Sequence, residues 1–489
     1  MTRLSQKHSG AYFTPDPVVA TLVRWAVSDP ADRMLDPSCG DGRFLAAHLN
    51  SVGVEQDAIS AAGAIERAPW ALVHEGDFFT WAGETSERFE CAAGNPPFIR
   101  YQTFKGAARA RALGLCRELG ADFNGLASSW APFLVATAHL LKPGGRMAFV
   151  VPAEIGHAPY SAPLVEYLVA NFSLVQIVAV RSKLFPNLSE DCWLLYAEGR
   201  GGRTGSIRFS ALDRFTPGEA ARPPAAAEDI SLSHWRETWS RRLRPLLLPA
   251  SVRELYVRAS EHPRSLRFGS AAQVGIGYVS GANGFFHLRP TLARKLGIPD
   301  ALLHPTVRNG RALPAGQLTR RTLDQWRASD EPFMLLRLPK TRFAELPTKV
   351  QRYLDSEAGR EARGAYKCRV RDPWYSVPDV HRPDYFLSYM SGVSANLVRN
   401  AGGATNTNSV HGVRVRDSEA MARVAAQWNS DFVALSRELE GHPLGGGMLK
   451  LEPREASRIL VPAEELQEEF NQPAIADAVT TMRRWRHYV

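Results

Sequence analysis

Along the first half of the chain, short apolar runs alternate with stretches of helical period. Met34-Leu35-Asp36 closes the first run, a glycine turn follows, and Phe44 to Leu49 then has the spacing of a helix. Gly63-Ala64-Ile65-Glu66 reads as a second strand ending in an acid. Leu72 and Val73 open a third strand that ends near Asp77, and Phe89 to Gly94 is a fourth, ending at Asn95. A long helix is predicted from about Ser128 to Leu141, closed by Lys142-Pro143-Gly144-Gly145. Arg146 to Val151 reads as a fifth strand, Leu164 to Asn171 as a helix, and Leu174 to Val180 and Cys192 to Ala197 as two more strands. Strand and helix in this succession predict an α/β fold with a doubly wound sheet.

The pattern breaks between Gly199 and Ala227, where Gly201-Gly202 and Arg222-Pro223-Pro224-Ala225-Ala226-Ala227 read as surface connections. A chain of 489 residues exceeds one ordinary core, so two domains are expected, over residues 1–230 and 231–489. The second half is irregular, and its periodicity points to no fold class.

Composition narrows the class of protein. With 45% hydrophobic and 22% charged residues the chain reads as soluble and globular, and its net charge of +9 favours a polyanionic partner. Arginine supplies much of the excess, as at Arg236, Arg241, Arg242 and Arg244, and its planar fork suits phosphate and guanine. The five cysteines form no CxxC pair and are odd in number, which argues against a disulfide framework or structural zinc. The first residues are polar and no stretch has the length and apolarity of a membrane span, so a reducing, cytoplasmic location is expected, with no bound metal.

Candidate chemistry gathers at the strand ends. Asp36, Glu66 and Asp77 are expected at the carboxyl ends of three successive strands, the edge where open α/β sheets bind ligands. Asp36 leads into Pro37-Ser38-Cys39-Gly40-Asp41-Gly42, whose glycines allow a tight turn and close approach to a ligand. The loop is not the dinucleotide GxGxxG, and no basic residue comes early enough to cradle a phosphate. A nucleoside with a cationic tail fits better. Glu66 is then placed for the ribose hydroxyls and Asp77 for an adenine amino group. Any one of these acids alone could cap a helix; three in order point to a ligand.

The sharpest signal is Asn95-Pro96-Pro97-Phe98. The amino nitrogen of adenine is a poor nucleophile because its lone pair is delocalised into the ring. The side-chain oxygen of Asn95 and the carbonyl of Pro96 can accept its two N–H bonds and favour a pyramidal nitrogen. The prolines stiffen the turn and preorganise those acceptors. Phe98 offers a face for stacking the base.

In this order the residues resemble the gamma class of N6-adenine DNA methyltransferases, the TaqI-like enzymes of type II restriction-modification systems. The resemblance covers the first 200 residues well. It implies a class I methyltransferase fold, a Rossmann-like seven-stranded mixed sheet with its last strand antiparallel, followed by a C-terminal target-recognition domain. It also implies S-adenosyl-L-methionine as cofactor. Gly10 to Pro15 is similar to the motif that folds over the methionine part, which assigns Tyr12 and Thr14 to the cofactor. The loop assigns Asp36, Ser38, Gly40 and Gly42; the next two strands assign Glu66 with Arg67 and Asp77 with Phe78. Asn95 touches cofactor and substrate alike, and Asn95 to Phe98 form the catalytic motif. Phe185-Pro186 is similar to the motif whose aromatic stacks on the flipped adenine, so Phe98 and Phe185 are expected to sandwich that base.

In the second half, Gly275 to Phe286, Tyr366 to Tyr375, and Leu451 to Arg454 through Val461-Pro462 resemble segments of the family's recognition domain. Arginines, aromatics and amides interleave there, as in Asn400 to Asn408. The implied partner is double-stranded DNA, methylated at one short sequence by a monomer, with any restriction endonuclease a separate chain. RNA N6-adenine and protein-glutamine methyltransferases share the Asn-Pro-Pro-aromatic turn, but the large C-terminal half argues against the protein-modifying class. Cytosine-N4 enzymes more often begin the turn with serine, and a non-catalytic DNA-binding relative would have little use for the acids and Asn95.

Overall fold

The computed structural model describes residues 13–488 apart from 126, 158–160, 186, 187, 189, 217–226, 394 and 445. Tyr12, Pro186 and nearly all of the connection Arg222–Ala227 lie outside the described residues. The chain divides into two compact units, Met1–Pro249 and Ala250–Val489.

Among the described residues the first unit is built on a nine-stranded sheet. Its strands are β1 (Met34–Asp36), β2 (Ser51–Glu55), β3 (Leu72–Glu75), β4 (Phe89–Gly94), β5 (Leu141–Pro152), β6 (Phe172–Val180), β7 (Cys192–Arg200), β8 (Ser206–Leu212) and β9 (Glu228–Ser231). They lie in the order β3-β2-β1-β4-β5-β7-β6-β8-β9. β1 to β5 pair in parallel, while β7 runs antiparallel between β5 and β6. The expected seven-stranded mixed sheet is therefore present, widened by two strands. β8 pairs parallel with β6 and β9 antiparallel with β8. β8 falls where the sequence read as connection. Ile207 and Phe209 alternate inward on it and are buried, but flanking glycines masked so short a run.

Seven α-helices among the described residues join or cover these strands: α1 (Asp16–Ala26), α2 (Arg43–Ala46), α3 (Ala58–Arg67), α4 (Phe78–Glu84), α5 (Gly106–Glu118), α6 (Trp130–His139) and α7 (Ala162–Asn171). α1 buries Val18, Val19, Leu22, Val23 and Trp25 against Ala148 and Val150 of β5 and Leu194 and Tyr196 of β7. Residues spaced three and four apart make one apolar stripe, so the helix can cover a sheet.

One element departs from expectation and moves the site. Gly63 to Glu66 is not a strand but the end of α3. The segment is rich in alanine, the strongest helix former, and Asp57 caps it by accepting from Ser60 N at 3.0 Å and Ser60 Oγ at 3.1 Å. Ala61 and Ala64 form its buried side. The second strand is β2, whose Ser51 to Val54 are all buried. Such a strand shows no alternation, which is why the sequence hid it.

Among the described residues the second unit has three small sheets built from distant segments, beside a two-strand pairing. Ala272–Ile276 pairs with Val410–Val415, which continues to Tyr385–Ser388, Leu397–Asn400 and Gln317–Leu318. A buried cluster of Phe268, Leu387, Val413, Trp428 and Ile459 packs beside that sheet. Among the described residues no helix is long and apolar enough to cross a membrane, and all five cysteines are free and buried.

Candidate active site

The carboxyl edge of β1 and its neighbours opens into a cavity of about 590 Å³. Asp36 ends β1 and is 1% exposed. Burial pushes its carboxyl up to about 8; Glu55 and Asp41 add to the rise, and the Ser38 amide, donating to Oδ1 at 3.1 Å, opposes it. Space for that carboxyl comes from Gly94 at the end of β4, where a Cβ would stand 2.7 Å from Asp36 Oδ1.

The loop after Asp36 turns back on itself. Gly40 and Gly42 have φ of +53° and +82°, the left-handed region that favours glycine. A Cβ on Gly42 would lie 2.7 Å from Ala64 Cα, so the loop touches α3 there; at Gly40 nothing stands within 4 Å of that position. Gly40 N donates to Glu55 Oε2 at 2.9 Å, and Asp57 N donates to Glu55 Oε1 at 2.8 Å. Glu55 thus closes β2 as Asp36 closes β1.

The acid on the second strand is Glu55, and the assignment to Glu66 is corrected. Glu66 is exposed on α3 and does not line the cavity, whereas Glu55, Gln56 and Asp57 do. Arg67 is likewise off the wall and pairs with Asp41 at 2.9 Å. The signal was present in Ser51-Val52-Gly53-Val54-Glu55, an apolar run ending in an acid. The neighbouring alanine-rich helix outweighed it.

Asp77 lines the cavity while capping α4, its Oδ1 accepting from Thr80 N at 2.9 Å and Thr80 Oγ1 at 2.8 Å. Phe78 behind it stacks on Phe133 of α6, with ring centroids 5.1 Å apart and planes 13° apart. Both rings line the cavity. Phe133 was not singled out from the sequence, because an aromatic within a helix reads as core. Thr14, buried, and Phe13, half-exposed, line another part of the wall. Arg43 beside them is held by Asp16 at 3.0 Å and Asp41 at 3.2 Å.

Asn95 and Pro97 line the same cavity, and Ser38 Oγ donates to the Asn95 carbonyl at 3.4 Å. Pro96 is buried, and Phe98, half-buried, packs on the cluster that contains Phe185. Phe185 is 6% exposed and does not line the cavity. Gly42 also stands off the wall, supporting the loop from behind. Among the described residues no group of three His, Cys, Asp or Glu is arranged to hold a metal.

A left-handed loop, three strand-end acids and an aromatic wall suit a nucleoside that carries positive charge. The open space over Gly40 leaves the loop backbone approachable, and Arg43, the first residue of α2 after the loop, is occupied by two carboxylates. This sheet order, with such a loop after β1 and Asn-Pro-Pro-Phe after β4, defines an S-adenosyl-L-methionine-dependent methyltransferase. Residues 240–487 match the family described as type II methyltransferase M.Eco57I, C-terminal domain, and the chain belongs to that family. Residues 53–185 match the Eco57I restriction-modification methylase and residues 1–65 the N-6 DNA methylase. The chain is an adenine-N6 DNA methyltransferase of the restriction-modification type, with S-adenosyl-L-methionine as cofactor.

Among its relatives is the type II methyltransferase M.XamI of Xanthomonas campestris pv. amaranthicola, 24% identical over 94% of this chain and 86% of that one. M.AccI of Acinetobacter calcoaceticus is 19% identical over 93% of this chain and 85% of its own. In fold the chain is similar to the type IIL restriction-modification enzyme MmeI, solved in complex with DNA. The TM-score is 0.51 at 11% identity, over 99% of this chain and 72% of that one.

Proposed function

We propose that this chain methylates adenine N6 within one short sequence of duplex DNA, with Asn95 and Pro96 gripping the amino group of a base turned out of the helix. The observation that carries the reading is the convergence of Asp36, Glu55, Asp77 and Asn95 on one cavity. The order of motifs, cofactor loop first and catalytic turn after it, fits the gamma class.

Each residue has a role that follows from its place. Asp36, Ser38 and Gly40 hold the methionine part with Thr14, Glu55 accepts from the ribose hydroxyls, and Asp77 accepts from the adenine amino group. Phe78 and Phe133 flank the adenine ring. When bound, S-adenosyl-L-methionine supplies an electrophilic methyl group on a sulfonium sulfur. Asn95 Oδ1 and the Pro96 carbonyl each accept one N6 hydrogen of the target base, drawing the nitrogen lone pair out of ring conjugation. Since the prolines hold the turn, these acceptors need no reorganisation as charge develops. Phe98 stacks on the extruded base; Phe185 completes a sandwich only if the apolar cluster around it opens to admit the base. Turning the base out costs a few kcal/mol, recovered by this stacking and bonding. The enzyme acts as a monomer, and its restriction endonuclease is a separate chain.

Single-molecule sequencing of DNA from a methylation-free host expressing the protein tests this. N6-methyladenine at one short motif, absent with Asn95→Ala, is expected. An unmodified genome, or an Asn95→Ala variant that still methylates, rejects the reading.

A further inference from the structure

The catalytic turn has a mechanical weakness that its prolines do not cure. Pro96 and Pro97 have fixed φ, but neither has an N–H with which to tie the turn to its surroundings. Rotation after Pro97 and about Phe98 is left open, and that rotation decides where the ring of Phe98 stands.

Ser129 closes this gap. Its hydroxyl donates to the Pro97 carbonyl and accepts from Ile99 N at 3.0 Å, while its own amide donates to the Ile99 carbonyl at 3.0 Å. The peptides on both sides of Phe98 are thereby held by one residue, which is 0% exposed. Ser129 stands just before α6, where a serine ordinarily accepts from the first amides of the helix. Here it has helical φ and ψ of −60° and −36° and makes no capping bond. Its hydroxyl serves the turn instead. α6 also carries Phe133, one turn along, whose amide donates to the Ser129 carbonyl at 3.3 Å. One buried helix therefore fixes both the aromatic wall of the cofactor cavity and the turn that meets the target base.

We propose that Ser129 is the positioning residue of the catalytic turn, setting the orientation of Phe98 and the neighbouring acceptors relative to the cofactor wall. The proposal rests on reading Asn95 to Phe98 as the catalytic turn. It separates rate from binding: Ser129 lines the cavity, but its hydroxyl is engaged with Pro97 and Ile99, so the cofactor's contacts are left in place while the target nitrogen loses its aim.

The test compares the full-length protein with Ser129→Ala, Ser129→Cys, Ser129→Thr and Asn95→Ala. Each is measured for melting temperature, for S-adenosyl-L-methionine affinity by calorimetry, and for single-turnover methylation of plasmid DNA free of N6-methyladenine. Ser129→Ala is expected to keep its cofactor affinity while its single-turnover rate falls roughly tenfold to hundredfold, the size of effect that a misplacement near 1 Å produces. Ser129→Thr, which keeps the hydroxyl, restores most of the rate. Should Ser129→Ala fail to fold, Ser129→Cys, nearly the same size but a weak donor, is expected to fold and to be slow. A parental rate in Ser129→Ala or Ser129→Cys overturns the proposal, as does a rate loss matched by an equal loss of cofactor affinity. Parental methylation by Asn95→Ala rejects the catalytic turn itself, a result distinct from failure at Ser129.

Discussion

Asp36 shows how a single residue ties the site to solution conditions. Its carboxyl is held up to about 8 mainly by burial, so near neutral pH it is largely protonated in the free protein. A raised acid favours the folded state below its unfolded value near 3.8, and that contribution is lost as pH rises from about 4 to 8. A positively charged cofactor binding beside it favours ionisation, with Glu55 and Asp41 nearby opposing. Affinity for S-adenosyl-L-methionine is therefore expected to rise between pH 6 and 8, with up to about one proton released per molecule bound. Calorimetry in buffers of different ionisation enthalpy reads that proton. Asp36→Asn, nearly isosteric with the protonated acid, should fold and lose this dependence. An identical pH profile in the variant counts against Asp36 as the titrating group.

At the scale of elements, Glu55 ends the second strand and lines the cavity, while Glu66 lies on the helix after it. A strand buried on both faces and an alanine-rich helix follow one another within twenty residues, and both are short apolar runs in sequence. Only the capping bond from Asp57 and the parallel pairing of β2 with β1 and β3 separate them. A sharp contrast follows. Glu55→Gln is expected to weaken cofactor binding by roughly tenfold or more, since a hydrogen bond to a charged group contributes about 1.5–3 kcal/mol. Glu66→Gln, exposed on α3, should change it by less than about twofold, as surface changes usually stay within about 0.5 kcal/mol. Equilibrium dialysis against labelled cofactor checks both. The reverse ranking would place the ribose contact at Glu66.

For the whole molecule, the second unit carries its own pH signature. His287 is 4% exposed; Tyr278 Oη lies 2.8 Å from its Nε2 and the Asn283 carbonyl 3.0 Å from its Nδ1. Burial first, then the Arg308 charge, lowers it to about 4, while the bond with Asn283 resists. A base whose folded value is depressed contributes fully above its unfolded value near 6.5, and that stability is lost as pH falls from 6.5 to about 4. The loss is about 3 kcal/mol at most. Followed by urea unfolding between pH 7 and 4, the stability of the parent relative to His287→Gln should fall with pH, a difference in which the opposite trend of Asp36 cancels. A difference that stays constant over that interval would place the titration elsewhere.

The sequence by itself determined the α/β class, the ends of β1 and β4, the glycine loop and the Asn-Pro-Pro-Phe turn. Each is local: hydrophobic period, turn residues and a chemical motif lie within a few positions of one another. The tertiary structure alone decided which acid closes β2, and that β8 and β9 widen the sheet. It also set Phe133 on the cavity wall, put Phe185 in an apolar cluster with Phe98 packed on it, and joined Ser129 to a turn thirty residues away. It assembled the second unit from strands that meet across more than a hundred residues. Those outcomes depend on contacts between segments far apart in the chain, and no window along the sequence contains them.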